Sequence, residues 1–303
     1  MNGSPEVIDA GYAACRSLAR RSRSNFYASF VLLPAEKRRA MEALYAFMRR
    51  TDDLADNNRP AADRRRALAR WREQLSAALA GAPMPQAADD DDGIGPAILP
   101  GVADAVRRFR IPVEHLQAVI DGVEMDVAGR RYETFEELQE YCHRVASAVG
   151  LACIHVWGFR GPEAFEPARQ CGVAMQLTNI LRDLGEDARD GRLYLPLEDF
   201  RHCGYTPEEL SAGVADERFV RLVRMEIARA ERLYSEGARL IDWLAPDGRR
   251  VFGLMMAIYH RLLGRIAREP TAPLARQVRL SRWEKLRLAG RWALLPPRRS
   301  ALP

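Results

Sequence analysis

The side chains best suited to chemistry in this 303-residue chain are two pairs of aspartates, Asp52 with Asp56 and Asp183 with Asp187. Residues four apart share one helix face, so each pair forms a carboxylate patch that repels itself by about 0.2–0.5 kcal/mol. Such hard oxygen ligands favour Mg²⁺, which proteins typically hold through one or two carboxylates together with substrate phosphate oxygens. The spacing therefore predicts a magnesium site for a phosphorylated ligand.

An arginine accompanies each acidic pair. Arg49 stands three residues before Asp52, and Arg182 directly precedes Asp183. The guanidinium group presents a planar fork of donors that matches phosphate oxygens. One pair of acids on a helix is more often a solvated face than a metal site. Two pairs with the same basic neighbour favour binding of both a cation and a phosphate.

Composition and charge narrow the remaining classes of function. At 48% hydrophobic residues, the chain can bury a large core. Its five cysteines show no CxxC spacing, which argues against disulfides or a zinc site and favours buried thiols in a reducing cytoplasm. Residues 1–6 lack signal-peptide features and no apolar run reaches eighteen residues, so we expect a soluble protein. The net charge of +5 is scattered, and we expect no nucleic-acid partner.

Hydrophobic periodicity predicts helices almost throughout, and alternating β-branched strands are scarce. The sequence therefore favours one all-α domain over residues 1–303. Residues 81–101, with several prolines and four consecutive aspartates, are predicted as a surface loop with solvated acids. The other predicted helices cover residues 34–45, 61–79, 113–127, 134–159, 162–185, 207–213, 216–244 and 249–268.

Carboxylate patches that face each other in a helical bundle suggest a definite chemistry. Mg²⁺ ions that bridge the patches to a diphosphate would neutralise this leaving group and help an allylic C–O bond to break. The resulting carbocation needs a dry apolar cavity with aromatic faces. Any one aromatic side chain is more often plain core. The helix-borne aromatic residues that can supply such faces are Phe26, Tyr45, Phe47, Tyr141 and Tyr259.

The order and spacing of these motifs resemble the squalene/phytoene synthase family over nearly the whole chain. The resemblance is specific, because the second acidic segment alone joins a Gln, an Asn, an Arg and three acids in one frame. It implies a single isoprenoid synthase domain, a helical bundle around a central cavity, and prenyltransferase activity. The segments that carry it are residues 24–27, 45–56, 141–150, 176–187 and 191–196.

The resemblance further implies head-to-head condensation of two identical allylic prenyl diphosphates, with Mg²⁺ as an essential cofactor. It implies Tyr141, Tyr259 and Arg49 as catalytic side chains. The metal ligands that it implies are Asp52, Asp53, Asp56, Asn179, Asp183, Glu186 and Asp187. Glu186 can instead orient these ligands without binding the metal itself. The substrate-binding residues that it implies are Asn25, Phe26, Tyr27, Tyr45, Arg49, Gln176 and Arg182.

The substrate follows less directly than the reaction. His143 and Arg144 stand where many carotenoid-forming members have another aromatic residue, and they resemble bacterial hopanoid-pathway members. We therefore prefer two farnesyl diphosphates as substrates, with presqualene diphosphate or a squalene-type C30 product; the alternative is phytoene from two geranylgeranyl diphosphates. NADPH would be needed only for a reductive second step. Gln277 stands where the family often has an Arg that binds diphosphate, and either Arg276 or Arg279 can take that role.

Two other classes stay open. A helical partner-binding scaffold explains the amphipathic helices but not the paired acids. A head-to-tail prenyltransferase also uses paired Asp motifs, although the frame of residues 179–187 points away from it. Residues 283–295 mix basic, aromatic and apolar side chains, which predicts a final helix packed on the bundle or, alternatively, peripheral contact with an anionic membrane surface. The oligomeric state is left open.

Overall fold

The computed structural model describes residues 4–21, 27, 29–56, 59–83, 92–294 and 302. Over those ranges the fold is all-α, as predicted, and its one β-type pairing is an isolated antiparallel bridge between Phe159 and Leu244. In chain order the α-helices are α1 (Pro5–Arg21), α2 (Ala35–Ala55), α3 (Ala61–Ala80), α4 (Ile94–Arg108), α5 (Val113–Val127), α6 (Phe135–Cys142), α7 (Ala148–Trp157), α8 (Phe165–Arg189), α9 (Leu197–Cys203), α10 (Pro207–Ser211), α11 (Glu217–Gly237), α12 (Pro246–Arg268), α13 (Ala272–Ala275) and α14 (Arg282–Leu294).

The predicted helices agree with the structure except at their ends. Helix α5 has the predicted bounds, whereas the single helix predicted over residues 134–159 is α6 and α7 joined by a π-helix at His143–Ser147. The helix predicted over residues 162–185 begins as a short 3₁₀ turn and continues as α8 to Arg189, so the second acidic pair lies wholly inside it. None of the described helices combines the length and apolar character needed to cross a bilayer.

The loop predicted over residues 81–101 is wrong in its second half, because α4 begins at Ile94. Glycines and prolines there suggested a loop, yet Gly101 lets α4 pack closely against α1. A Cβ atom on Gly11 would lie 2.5 Å from the backbone nitrogen of Gly101. The helix runs through Pro100 because the apolar residues around it are buried, which offsets the hydrogen bond that a proline cannot donate.

Asp92, the last of the four consecutive aspartates, has a structural role that the predicted solvated loop did not include. Its carboxylate pairs with the buried Arg50 of α2, with Nη1 and Oδ2 2.6 Å apart. The same carboxylate accepts a hydrogen bond of 3.0 Å from the backbone N–H of Ile94 at the start of α4. Asp92 therefore links the beginning of α4 to α2.

The helices of the second half form the other side of the bundle. Helix α8 packs along α11 and also contacts α7, α12 and α13, while α14 packs on α12. Trp292 of α14 is buried, and its ring occupies the space that a side chain at Gly253 would need. The five cysteines are buried free thiols, as predicted.

The contact between α1 and α4 gives a test of packing. We expect Gly11→Ala to lower the free energy of unfolding by about 1–3 kcal/mol, because the added methyl would collide with the α4 backbone. Gly264→Ala is the matched control: a Cβ there meets no atom within 4 Å, so the better helix former should raise stability by up to about 1 kcal/mol. Urea unfolding of both variants measures the difference, and equal stabilities would contradict the packing described.

Candidate active site

A cavity of about 830 Å³ lies among α2, α5, α7, α8 and α12. Its polar part carries residues predicted for the site: Tyr45, Arg49, Asp52, Tyr141, Gln176, Asn179, Arg182 and Tyr259. The rest of the wall is apolar, with Val149, Cys153, Trp157, Met175, Phe252 and Met255 among its residues. An apolar chamber next to acidic and basic side chains suits a ligand with a hydrocarbon tail and an anionic head.

The first acidic patch lies at the C-terminal end of α2. Asp52 and Asp53 are in the last turn of the helix, and Asp56 follows as its C-cap, with its N–H bonded to the carbonyl of Asp52 at 2.8 Å. Arg49 forms an ion pair with Asp53. Asp53 is thereby held toward Arg49, while Asp52 faces the cavity.

A buried threonine fixes the backbone of α2 just before this patch. The hydroxyl of Thr51 donates to the carbonyl of Phe47 at 2.9 Å and accepts from Nε1 of Trp71 on α3, also at 2.9 Å. The rings of Phe47 and Trp71 stack at 5.3 Å. Phe47 is fully buried in this core contact and is not among the residues that line the cavity, contrary to the prediction that it supplies an aromatic face there.

The second acidic patch lies in the last two turns of α8. Asp183 accepts hydrogen bonds from Arg182 and, at 2.7 Å, from Nε2 of Gln277. Asp187 pairs with Arg192, and Glu186 is exposed. Both patches thus stand at helix C-termini, where the helix dipole disfavours negative charge by about 0.3–1 kcal/mol per group.

A buried threonine fixes the backbone of α8 in the same way as Thr51 fixes that of α2. The hydroxyl of Thr178 donates to the carbonyl of Ala174 at 2.8 Å and is 2.8 Å from the hydroxyl of Tyr234 on α11. Thr178 and Tyr234 are buried. The next residue, Asn179, is therefore held at a fixed position on the cavity wall.

Burial, together with crowded charge, raises the pKa of one carboxyl in each patch. Burial, then repulsion from Asp56, raises the pKa of Asp52 from 3.8 to about 7. Burial also raises the pKa of Asp187 to about 7, against the attraction of Arg192 and with further repulsion from Asp183. The Asp52 side chain lines the open cavity and is exposed to solvent there, while the protein around it limits its hydration. A bound cation would relieve this repulsion.

Arg192, in the segment after α8, joins the two patches. Its Nη1 lies 3.5 Å from Oδ1 of Asp56, and its Nε lies 3.3 Å from Oδ1 of Asp187. A third contact, of 3.1 Å, joins Nη2 to Asp190. Since one guanidinium reaches both patches, the acids predicted to act together do lie together.

The donor set fits Mg²⁺ with a diphosphate. Oδ1 of Asn179 is buried and has no hydrogen-bond partner, as expected for an oxygen kept for a cation. Among the described residues, no three Asp, Glu, His or Cys side chains converge on one point. Proteins usually bind Mg²⁺ through one or two carboxylates, and phosphate oxygens and water complete the coordination.

Besides Arg192, two further residues that the sequence analysis missed complete the site. Asp126 of α5 accepts hydrogen bonds of 3.0 Å from the hydroxyls of both Tyr141 and Tyr194, whose rings stack at 5.4 Å. Burial raises the pKa of Asp126 to about 6. The sequence could have pointed to Asp126, because this acid falls three residues after the buried Val123 and so lies on the apolar stripe of α5. Tyr194 lies after α8, in the segment 191–196 that carries part of the family resemblance.

The other predicted residues are placed as follows. Burial raises the pKa of Tyr259 to about 12, so its phenol stays protonated. Tyr27 packs edge-on against Phe30 and donates to Glu42 at 3.4 Å, away from the cavity lining. Asn25 and Phe26 lie outside the described residues.

A helical bundle that encloses an apolar chamber beneath two acidic patches defines an all-α prenyltransferase with the isoprenoid synthase fold. The chain belongs to the squalene/phytoene synthase family, whose model matches residues 19–284. It is 34% identical to a phytoene synthase of Arthrospira platensis, over 93% of this chain and 92% of that protein. A 15-cis-phytoene synthase of Synechococcus elongatus is 32% identical over 92% and 91% of the two chains.

Solved structures of the family have the same fold. A dehydrosqualene synthase crystallised with a ligand superposes with a TM-score of 0.82 at 29% identity, covering 95% of this chain and 96% of that one. The squalene synthase HpnC from Alicyclobacillus acidocaldarius superposes with a TM-score of 0.78 at 27% identity, covering 88% and 96%. The predicted fold, family and enzyme class are confirmed.

The acid patches give a test of the metal assignment. We expect Asp52→Asn and Asp183→Asn each to lower kcat/KM for a prenyl diphosphate by about 10² or more while the unfolding temperature changes little, because each removes charge from a cation site at the leaving group. Asp63→Asn, which breaks a surface pair with Arg66, is the control. Near-normal turnover in either site variant would contradict its role as a ligand, and loss of the fold would make the acid structural.

Proposed function

We propose that the protein condenses two allylic prenyl diphosphates head to head, with Mg²⁺ as its cofactor. The observation that carries this proposal is the meeting of the two acidic patches, one guanidinium apart, beside an apolar chamber. A scaffold protein would gain nothing from carboxylates crowded at two helix C-termini. The proposal accounts for them as ligands of the cations that accompany a diphosphate.

Each polar residue then has a task in binding and ionisation. Asp52 and Asp56 of the first patch, and Asn179, Asp183 and Asp187 of the second, would hold separate Mg²⁺ ions. When bound, Mg²⁺ supplies the positive charge that neutralises the diphosphate leaving group. Asp53 lies next to these ligands and pairs with Arg49. Glu186 lies next to them on the exposed face of α8.

The arginines and tyrosines act on the substrate itself. Arg49 and Arg182 line the cavity and present N–H donors to diphosphate oxygens, and Gln176 adds an amide beside them. Burial, with the charge of Asp126, raises the pKa of Tyr141 well above its usual range, so it remains a hydrogen-bond donor and cannot serve as a base near neutral pH.

The aromatic faces serve the carbocation. Tyr141 and Tyr194 stack beside the cavity, and both donate their hydroxyl hydrogens to Asp126. With a pKa of about 6, Asp126 is mostly ionised at neutral pH, and its negative charge behind the rings strengthens their attraction for a cation. The apolar wall keeps water from the cation, which favours attack by the second prenyl chain.

Two observations bear on the chain length of the substrate: the names of the similar proteins and the His143-Arg144 motif. The two curated relatives described above are phytoene synthases, which supports two geranylgeranyl diphosphates over the farnesyl substrate preferred from the sequence. Farnesyl diphosphate remains the second candidate, because the two solved structures are named for C30 products and the His143-Arg144 motif resembles hopanoid-pathway members. NADPH enters only if the C30 intermediate is reduced.

Product analysis tests this function and separates the two substrates. Purified protein is incubated with Mg²⁺ and either farnesyl or geranylgeranyl diphosphate, with and without NADPH, and the products are identified by chromatography with mass detection. Phytoene from the C20 substrate supports the first candidate, and a C30 diphosphate, alcohol or hydrocarbon supports the second. If neither substrate is coupled under any condition, the proposed function is wrong.

Helix α14 supports a further part of the proposal, peripheral contact with an anionic membrane surface. Its inner face packs on α12 through Trp292, as the first of the two alternatives predicts. Its outer face leaves Trp283, Leu286 and Leu294 largely exposed. The exposed basic residues of the same helix are Arg282, Arg287 and Arg291. Exposed apolar groups interleaved with cations suit an anionic bilayer, which also accepts a hydrocarbon product.

Flotation with liposomes tests this contact. We expect wild-type protein to float with vesicles that contain anionic lipid, and the double variant Trp283→Ala and Leu286→Ala to bind about tenfold less, because it loses apolar groups that enter the interface. Val7→Ala removes an exposed apolar side chain of α1 and serves as the control. Equal flotation of all three proteins would exclude α14 as the contact.

A further inference from the structure

The segment between α13 and α14 carries a second set of polar residues to the cavity. Residues 277–280 have no regular secondary structure, and all four line the cavity. Nε2 of Gln277 donates to Oδ1 of Asp183 at 2.7 Å, and Oε1 of the same amide accepts from Nε of Arg279 at 2.6 Å. One glutamine side chain therefore links a cation on this segment to a carboxylate of the second acidic patch.

The backbone of this segment is held from outside. Arg265 of α12 donates to the carbonyl of Arg279 and also pairs with Glu284 of α14 at 2.7 Å. Glu284 in turn accepts from the backbone N–H of Ser281 at 2.9 Å. The carbonyl and the Nε of Arg279 are both engaged, whereas its two Nη groups have no hydrogen-bond partner among the described residues and lie on an exposed side chain that lines the cavity.

The positive charges of Arg279 and the nearby Lys285 form a site that suits an anion. In the described part of the chain no carboxylate forms an ion pair with Arg279, whose side chain bonds only the neutral amide of Gln277. Lys285 lines the same cavity and likewise has no carboxylate partner in those residues. Burial and the charge of Arg279 lower the pKa of Lys285. Two adjacent cations on a cavity wall repel each other unless an anion lies between them.

Arg276 is placed differently. Its side chain is 65% exposed, and Nη2 pairs with Glu269 at 2.8 Å on the outer surface. Arg276 is not among the residues that line the cavity. Both arginines beside Gln277 are exposed, but of the two only Arg279 lines the cavity.

We propose that Arg279 binds the diphosphate group of a prenyl diphosphate, and that Gln277 positions it by linking it to Asp183. This inference rests on the proposed function, since it assigns the residue that holds the anionic head of that substrate. The anion lies between the Arg279 guanidinium and the patch that contains Asp183, so one diphosphate meets positive charge on both sides once Mg²⁺ is bound. Gln277 keeps these two sides at a fixed separation.

Steady-state kinetics and calorimetric binding of inorganic diphosphate with Mg²⁺ test the proposal. We expect Arg279→Gln to raise both KM for the prenyl diphosphate and Kd for inorganic diphosphate about tenfold or more, with a much smaller change in kcat, because a charge-assisted hydrogen bond made in both ground state and transition state is lost. Arg279→Lys should recover part of the affinity, since it restores the charge without the planar fork. Arg276→Gln is the matched control and should stay within about twofold of wild type in both measurements.

Gln277→Leu separates positioning from binding. It leaves Arg279 intact but removes both amide hydrogen bonds, so we expect an increase in KM and Kd smaller than that of Arg279→Gln, at an unchanged unfolding temperature. If Arg279→Gln binds diphosphate as tightly as Arg276→Gln, the role of Arg279 is overturned. If Gln277→Leu matches wild type in both constants, the positioning role of Gln277 is overturned. Wild-type protein that couples no prenyl diphosphate would refute the proposed function instead.

Discussion

The candidate active site depends on one electrostatic constraint: carboxylates are concentrated at the C-terminal ends of two helices that meet at the cavity. Helix dipoles, like charges and burial all oppose ionisation there, and the pKa of Asp52 and of Asp187 is raised to about 7 in consequence. Arg192 offsets part of this repulsion by touching both patches. A full balance requires cations, and those cations are what a diphosphate leaving group needs.

The surrounding core holds these repelling groups in place. Thr51 is tied to Trp71 on the next helix, and Thr178 is within hydrogen-bond distance of Tyr234 on α11, each one residue before a predicted metal ligand. Close packing adds to this near Asp183, where a Cβ atom on Gly185 would lie 2.7 Å from backbone oxygens of α13. Rigid buried contacts behind a strained surface are the usual way in which a site is preorganised.

Much of this architecture could be predicted from sequence, since paired acids and helical periodicity are local signals. The acid patches and their arginines were found because the i, i+4 rule needs only one helix. Asp126 was missed because its partners, Tyr141 and Tyr194, come from other segments and no acid stands four residues away. Phe47 was misplaced for a related reason: spacing gives the face of a helix, but only packing decides whether that face meets Trp71 or the cavity. The start of α4 was missed because glycine and proline indicate a loop unless a neighbouring helix needs small residues.

The most direct test of the account is a calorimetric titration of the wild-type protein with inorganic diphosphate, with and without Mg²⁺. We expect binding that requires Mg²⁺ and that weakens as the pH falls through about 7, because protonation of Asp52 and Asp187 removes the charge that holds the metal. Equal affinity in the absence of Mg²⁺, with no dependence on pH in this range, would contradict the claim that the acidic patches act as cation ligands.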